Sequence, residues 1–377
     1  MKLRNALIAA ILVLALAGTA VAADTIKIGV YLPLTGRTAF GGQLELEGVQ
    51  MGHQEAPELL GKKVELIIVD NKTDKVEAAN AVKRLVERDK VVAVIGTYGS
   101  SLAMAGGEVA EASKIPMMGT SCTNPLVTQG KKYVFRACFI DPYQGAGAAT
   151  YTVKTLGMKK AALLIDVAND YCVGLGNFFK QSFKKLGGEV VAEMKYNSGD
   201  QDFTAQLTEI ISKEPDILYI PADFAEGAII MKQARELGAE FQIMGGDAMD
   251  NPEIVKIGGD AVEGFIHTTF PYDPSMTEMS DIARTFTENW TKAHPDKEPN
   301  VNAALGYDSY MLIANAITTA GKAEPEAIRE ALEKTRDFPG VTGNKTINET
   351  HDAESPVGIV QIKEGKKLFI GTVEPEM

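Results

Sequence analysis

The chain is short of the residues that build metal centres, disulfide frameworks and nucleic-acid surfaces. Its 377 residues include three cysteines, four histidines and one tryptophan. Cys122, Cys138 and Cys172 are an odd number, badly spaced for a structural zinc site. They are expected to be packing residues, with at most one disulfide among them. His53, His267, His294 and His351 are scattered, and none sits in a local motif with a Ser or Cys nucleophile. No G-x-S-x-G elbow, P-loop or H-E-x-x-H occurs, and Gly174-Leu175-Gly176 lacks the third glycine of a dinucleotide fingerprint. Positive charge is also scarce. Against 50 Asp and Glu there are 38 Lys and Arg, a formal net charge of −12. Nucleic acid, which needs clustered cations, is therefore excluded as a partner. Beyond residue 23 no apolar run is long enough to span a bilayer. No catalysis, cofactor or metal is expected.

The start of the chain has a different character from the rest. Lys2 and Arg4 precede an apolar run, Ala6 to Ala17, and Ala20-Val21-Ala22 has the small-x-small pattern of a signal-peptidase site. Residues 1–23 are expected to be a cleaved leader, giving an exported, periplasmic protein. No cysteine near the cleavage site signals a lipid anchor.

What the chain does contain is alternation of short β-rich runs with amphipathic helical runs, the pattern of right-handed βαβ crossovers. Its most informative stretch is Val91 to Thr123. Val91 to Ile95 is an unbroken apolar strand, as expected where both faces of a sheet are covered. Gly96 and Gly99 bracket a turn, and Ser100-Ser101 stand where a helix begins. Ile115 to Met118 repeats the arrangement and ends in Gly119 to Thr123. Two adjacent strands thus present hydroxyls and free N–H groups at their carboxyl ends, where open α/β sheets bind ligands. Helix N-termini favour anions there, so a carboxylate suits the crevice.

Breaks near residues 141, 271 and 350 divide the chain. The fold class expected is α/β: two Rossmann-like lobes with parallel central sheets, joined by three hinge crossovers. Lobe 1 comprises 24–141 plus 272–349, and lobe 2 comprises 142–271 plus 350–377. The reason for three crossings is that the helices between 276 and 334 have almost no strand of their own and need a sheet built earlier. A capping box, Ser275-Met276-Thr277-Glu278, is expected to open a helix running to His294. Val341 to Ile347 reads as a strand, and the tail from Pro356 to Val373 as a hairpin.

The order of the motifs IKIGVYLPLTG, VVAVIGTYGSS, IPMMGTSCTNPLVT, VFRACFIDPYQG, ANDYCVGLG, IMGGDAMDNPE and ALGYDSYMLIANAI resembles the periplasmic leucine/isoleucine/valine-binding proteins. These are the type I solute-binding components of branched-chain amino acid ABC importers. The resemblance spans the whole mature chain. It implies a periplasmic binding protein type I fold that captures a small amino acid, branched-chain in type, between its lobes and delivers it to a membrane permease, working as a monomer. By motif position it also implies ligand contacts from Ser100, Ser121 and Thr123 to the α-carboxylate and amine. Phe40 would wall the side-chain pocket, Tyr171 would be a tyrosine contributed by the closing lobe, and Asp247 would face the α-ammonium.

Asp223 falls where leucine-type binders carry a tyrosine. A carboxylate there is costly beside an aliphatic side chain unless paired. Either it points into solvent, or the ligand bears an extra donor or cationic group. The alternative function is a sensory receptor for an amide, urea-like or aromatic compound.

Taken singly, these residues have plainer readings. Asp223 and Asp247 are common caps and turn residues, Tyr171 could be a surface aromatic, and Phe40 is core by default. Within a predicted helix, Tyr307 and Asp308 read as packing and surface. Met117, Met118, Met244 and Met249 read as pliable core.

Overall fold

The computed structural model describes residues 25–376, so the expected leader lies outside the described residues. Two sheets dominate. The first is built from β1 (Ile26–Leu32), β2 (Glu58–Leu59), β3 (Lys62–Asp70), β4 (Ala93–Ile95), β5 (Met117–Gly119) and β6 (Val134–Arg136), in the order β2-β3-β1-β4-β5-β6. All pairings are parallel except that of β2 with β3. Helices α1 (Ala39–Glu55), α2 (Lys75–Arg84) and α3 (Ser100–Ser113) connect its strands. The chain then continues through α4 (Asp141–Thr150) into a second sheet, with β7 (Lys160–Asp166), α5 (Asp170–Lys185), β8 (Glu189–Tyr196) and α6 (Thr204–Ser212). After these come β9 (Ile217–Ile220), α7 (Phe224–Glu236), β10 (Gln242–Gly245), α8 (Glu253–Gly258) and β11 (Ile266–Thr269). The tail hairpin, β12 (Val357–Lys363) and β13 (Lys366–Val373), completes the order β13-β12-β11-β10-β9-β7-β8. Its two strands are the antiparallel members, added at one edge.

The helices between these last strands pack on the first sheet. In α9 (Asp281–Ala293), α10 (Val301–Ala320) and α11 (Pro325–Glu333), the residues Phe286, Trp290, Ile313 and Leu332 share one buried core with Ile28, Val30, Ile95 and Phe135. Burying each such side chain fully contributes about 2–3 kcal/mol. The tightest seam is between α1 and α10. A Cβ on Gly48 would lie 1.8 Å from the Ala303 carbonyl oxygen, and one on Gly306 would lie 2.1 Å from that of Glu45. Only glycine permits this approach. Met117, Met118, Met244 and Met249 are all fully buried, as read from the sequence.

Three expectations are corrected. The helix before His294 starts at Asp281, not at the Ser275 box. Its cap is Ser280, whose hydroxyl accepts from Ala283 N at 3.3 Å. Asp273 binds the Ser275 N–H at 2.8 Å and its hydroxyl as well, so a local turn claims the groups the box needed. Val341 to Ile347 is not a strand and keeps only the isolated bridges Phe338–Lys345 and Ile347–Ala353. The third correction explains the second. Asp308 is buried, not on the surface, and accepts from Val341 N (2.7 Å), Thr342 N (3.0 Å) and the Thr342 hydroxyl (2.7 Å). Backbone donors required for a ladder are thereby diverted to one carboxylate. The three cysteines are buried free thiols.

Candidate ligand-binding cleft

The first sheet meets the cleft through two turns. After β4, Gly96 (φ 137°) and Gly99 (φ 93°) adopt conformations that favour glycine, and a Cβ on Gly96 would lie 2.1 Å from the Tyr31 carbonyl oxygen. Gly99 caps α3, which makes Ser100 its first residue and leaves the first N–H groups of the helix facing the cleft. The Ser100 hydroxyl accepts from Asn124 N at 3.1 Å, so its own proton remains to be donated. After β5, Thr120 donates to Glu45 at 2.6 Å, while Ser121 donates to it through both N–H (3.2 Å) and hydroxyl. Ser121 therefore presents lone pairs. Burial pushes the Glu45 carboxyl up to about 8, against the pull of the Ser121 and Thr120 hydrogen bonds. The loop that follows is braced by Arg136, fully buried, which donates to Cys122 O (2.5 Å), Asn124 O (2.9 Å) and Thr128 Oγ1 (2.6 Å) and pairs with Asp352 at 2.6 Å.

The second sheet answers from the other side. Asn169 caps α5, accepting from Tyr171 N at 3.1 Å, and so fixes the start of the helix that carries Tyr171. The Tyr171 hydroxyl (2.9 Å) and Gln144 Nε2 (2.8 Å) both donate to Asp247 Oδ1. Burial raises the Asp247 carboxyl to about 6, with the hydrogen bonds from Gln144 and Tyr171 opposing. At neutral pH it is an anion, and both of these side-chain hydrogen bonds fall on one of its oxygens.

Asp223 stands at the N-cap of α7 but makes no capping hydrogen bond. It is buried and pairs with Arg37, which reaches across from the loop after β1. The solvent-facing alternative is thus corrected, because the burial cost is met by a partner the sequence reading missed. Glu226 approaches the same guanidinium at 3.7 Å. Burial raises Glu226 to about 7, although Arg37 pulls it down.

A cavity of about 260 Å³ is lined by Ser100, Ser121, Thr123, Tyr171, Asp223 and Asp247 together with Arg37 and Tyr98. Of the residues expected from the sequence, only Phe40 is absent from it. Phe40 instead lines a second cavity of about 870 Å³ and packs on Phe224, ring centroids 5.9 Å apart. Each ring sits at the first turn of its helix, and the two meet where the two cores adjoin. Arg37, Glu45, Arg136 and Gln144 were missed. Arg37 alone carried a usable signal, since it follows Gly36 at the carboxyl end of a central strand.

Two open α/β sheets whose polar ends converge on one cavity have the arrangement of a ligand-capturing protein. The family model described as periplasmic binding protein matches residues 25–367, and the chain belongs to that family. It is 29% identical over 356 residues to the leucine-, isoleucine-, valine-, threonine- and alanine-binding protein of Pseudomonas aeruginosa, covering 93% of this chain and 92% of that protein. Among solved structures, the leucine-binding protein LivK of Thermotoga maritima is 43% identical, with TM-score 0.90, covering 93% of this chain and 99% of that one. LivJ of Streptococcus pneumoniae, solved with isoleucine, is 31% identical, with TM-score 0.86, covering 92% and 100%. The resemblance read from the motifs and the two-lobed α/β fold are both borne out.

Proposed function

We propose that this chain is the extracytoplasmic solute-binding component of an amino-acid ABC importer of the branched-chain type, capturing a small α-amino acid between its lobes and presenting it to a membrane permease. The observation that carries the reading is the pairing of opposite grips in one cavity. Ser100 and the amides of α3 suit an α-carboxylate, while Asp247 and the Ser121 lone pairs suit an α-ammonium. The names of the relatives support the same ligand class.

In this reading the lobes are 24–141 plus 272–349 and 142–271 plus 350–377. They are joined by hinges that let the second close over a ligand held by the first. Contacts that span the cleft support such closure. Asp170 on α5 receives Lys75 at 2.8 Å and the Ser101 hydroxyl at 2.8 Å, and its carbonyl accepts from Asn124 at 2.8 Å. A ligand that touches both lobes favours the closed state by its differential affinity. Excluding water strengthens each charge-assisted bond within. The protein acts in the periplasm as an exported monomer and performs no covalent chemistry. Equilibrium dialysis of the folded protein against the common α-amino acids tests the proposal. Saturable binding of one or a few is expected, and indifference to all of them overturns it.

A further inference from the structure

We propose that the side-chain end of the cleft selects an amino acid ending in a carboxamide, a group that accepts and donates hydrogen bonds at once. This rests on the amino-acid reading above and names the ligand within it. Beside the groups assigned to the carboxylate and ammonium, the cavity is lined by Arg37, Asp223, Thr38, Thr73 and Ser198, with Leu102 the one large aliphatic side chain among its lining residues. Arg37 meets Asp223 through Nη1 and Oδ2 only. Both side chains line the cavity, and among the described residues no further hydrogen bond occupies the other guanidinium N–H groups or Asp223 Oδ1, so a donor and an acceptor are both offered there. A carboxamide complements both, its C=O accepting from Arg37 and its NH2 donating to Asp223.

Other side-chain ends fit worse. An aliphatic group would strip water from both charges and return no hydrogen bond. A carboxylate would meet Asp223, with Glu226 behind it holding a buried Oε2 that has no hydrogen-bond partner. An ammonium would compete with Arg37 for Asp223.

Arg37 is also well placed to act as a selector because its loop is fixed. Asp70 accepts from Leu34 N (2.9 Å), Thr35 N (3.2 Å) and the Thr35 hydroxyl (2.6 Å), and the Thr73 hydroxyl donates to Thr35 O at 3.0 Å.

Calorimetric titration with asparagine, glutamine, leucine, isoleucine, lysine and glutamate tests the proposal. Asparagine or glutamine should bind roughly tenfold or more tightly than the others, the worth of one charge-assisted hydrogen bond. Asp223→Leu should shift the preference toward leucine. Asp223→Asn, which keeps the shape and removes the charge, should narrow the ratio, with circular dichroism confirming that both variants are folded. Equal or tighter binding of the aliphatic or charged ligands, or a ratio unmoved in both variants, overturns the inference and leaves the amino-acid reading standing. If a folded sample binds no α-amino acid, both fall.

Discussion

Replacing Asp247 by Asn should move stability and binding in opposite directions. In the folded protein this carboxyl is buried, and its value of about 6 lies above the ordinary 3.8. A raised value means that the protonated form is the one the fold prefers. The stability it contributes is fully present below about 4 and is lost as pH rises through about 6. At neutral pH the rise corresponds to about 3 kcal/mol of destabilisation, which Asn, neutral at every pH, does not incur. Asn also keeps an oxygen to accept from Gln144 and Tyr171, so the local hydrogen bonds survive. Ligand-free Asp247→Asn should therefore unfold at a higher denaturant concentration than wild type at pH 7, with the gap closing toward pH 4. Its affinity for amino acid should fall by roughly a hundredfold or more, since the ligand ammonium is left buried without a counter-charge. Chemical denaturation across pH and calorimetry read the two effects separately. A less stable ligand-free variant, or one that binds as wild type does, would refute the reasoning.

Three further outcomes follow from the same geometry. Affinity should weaken about tenfold for each pH unit below about 6, as protons compete for Asp247, and titration calorimetry in buffers of different ionisation enthalpy should detect a proton released on binding. Gly306→Ala improves helix propensity by about 1 kcal/mol, yet its Cβ would lie 2.1 Å from the Glu45 carbonyl oxygen. The packing account therefore expects a net loss of about 1–3 kcal/mol in urea unfolding, and a gain would contradict it. Lys367→Met removes the partner that pairs with buried Asp250 and lies 3.5 Å from Asp273, which should cost about 3–5 kcal/mol, measured by thermal unfolding.

Much of this architecture was legible because it rests on local patterns. Unbroken apolar runs such as Val91 to Ile95 announce strands covered on both faces. The helices after residue 276, having no sheet of their own, had to return to the first, and Phe286 and Trp290 do pack there. The glycine turn before Ser100 and the hydroxyl cluster after β5 declared the cleft, because that chemistry is written in adjacent residues.

What stayed hidden depends on distant partners. Glu45 and Glu47 look alike on α1, yet Glu45 is fully buried under Thr120 and Ser121 while Glu47 pairs with Lys297. Nothing local in the loop tells that Arg37 crosses to Asp223. The Ser275 box was a sound local signal that lost to Asp273, and the strand read at 341–347 lost its donors to Asp308. Side chains that reach across the fold to claim backbone or charge leave little trace in periodicity.

In the proposed function one cavity grips an α-carboxylate through Ser100 and the α3 amides, and an α-ammonium through Asp247 and Ser121. The most direct test is calorimetry with the best-bound amino acid and its two truncated analogues, the amine lacking the carboxylate and the acid lacking the ammonium. Loss of either group should weaken binding by roughly a hundredfold or more. An analogue that binds as tightly as the intact amino acid would show that the opposed grips are not what holds the ligand.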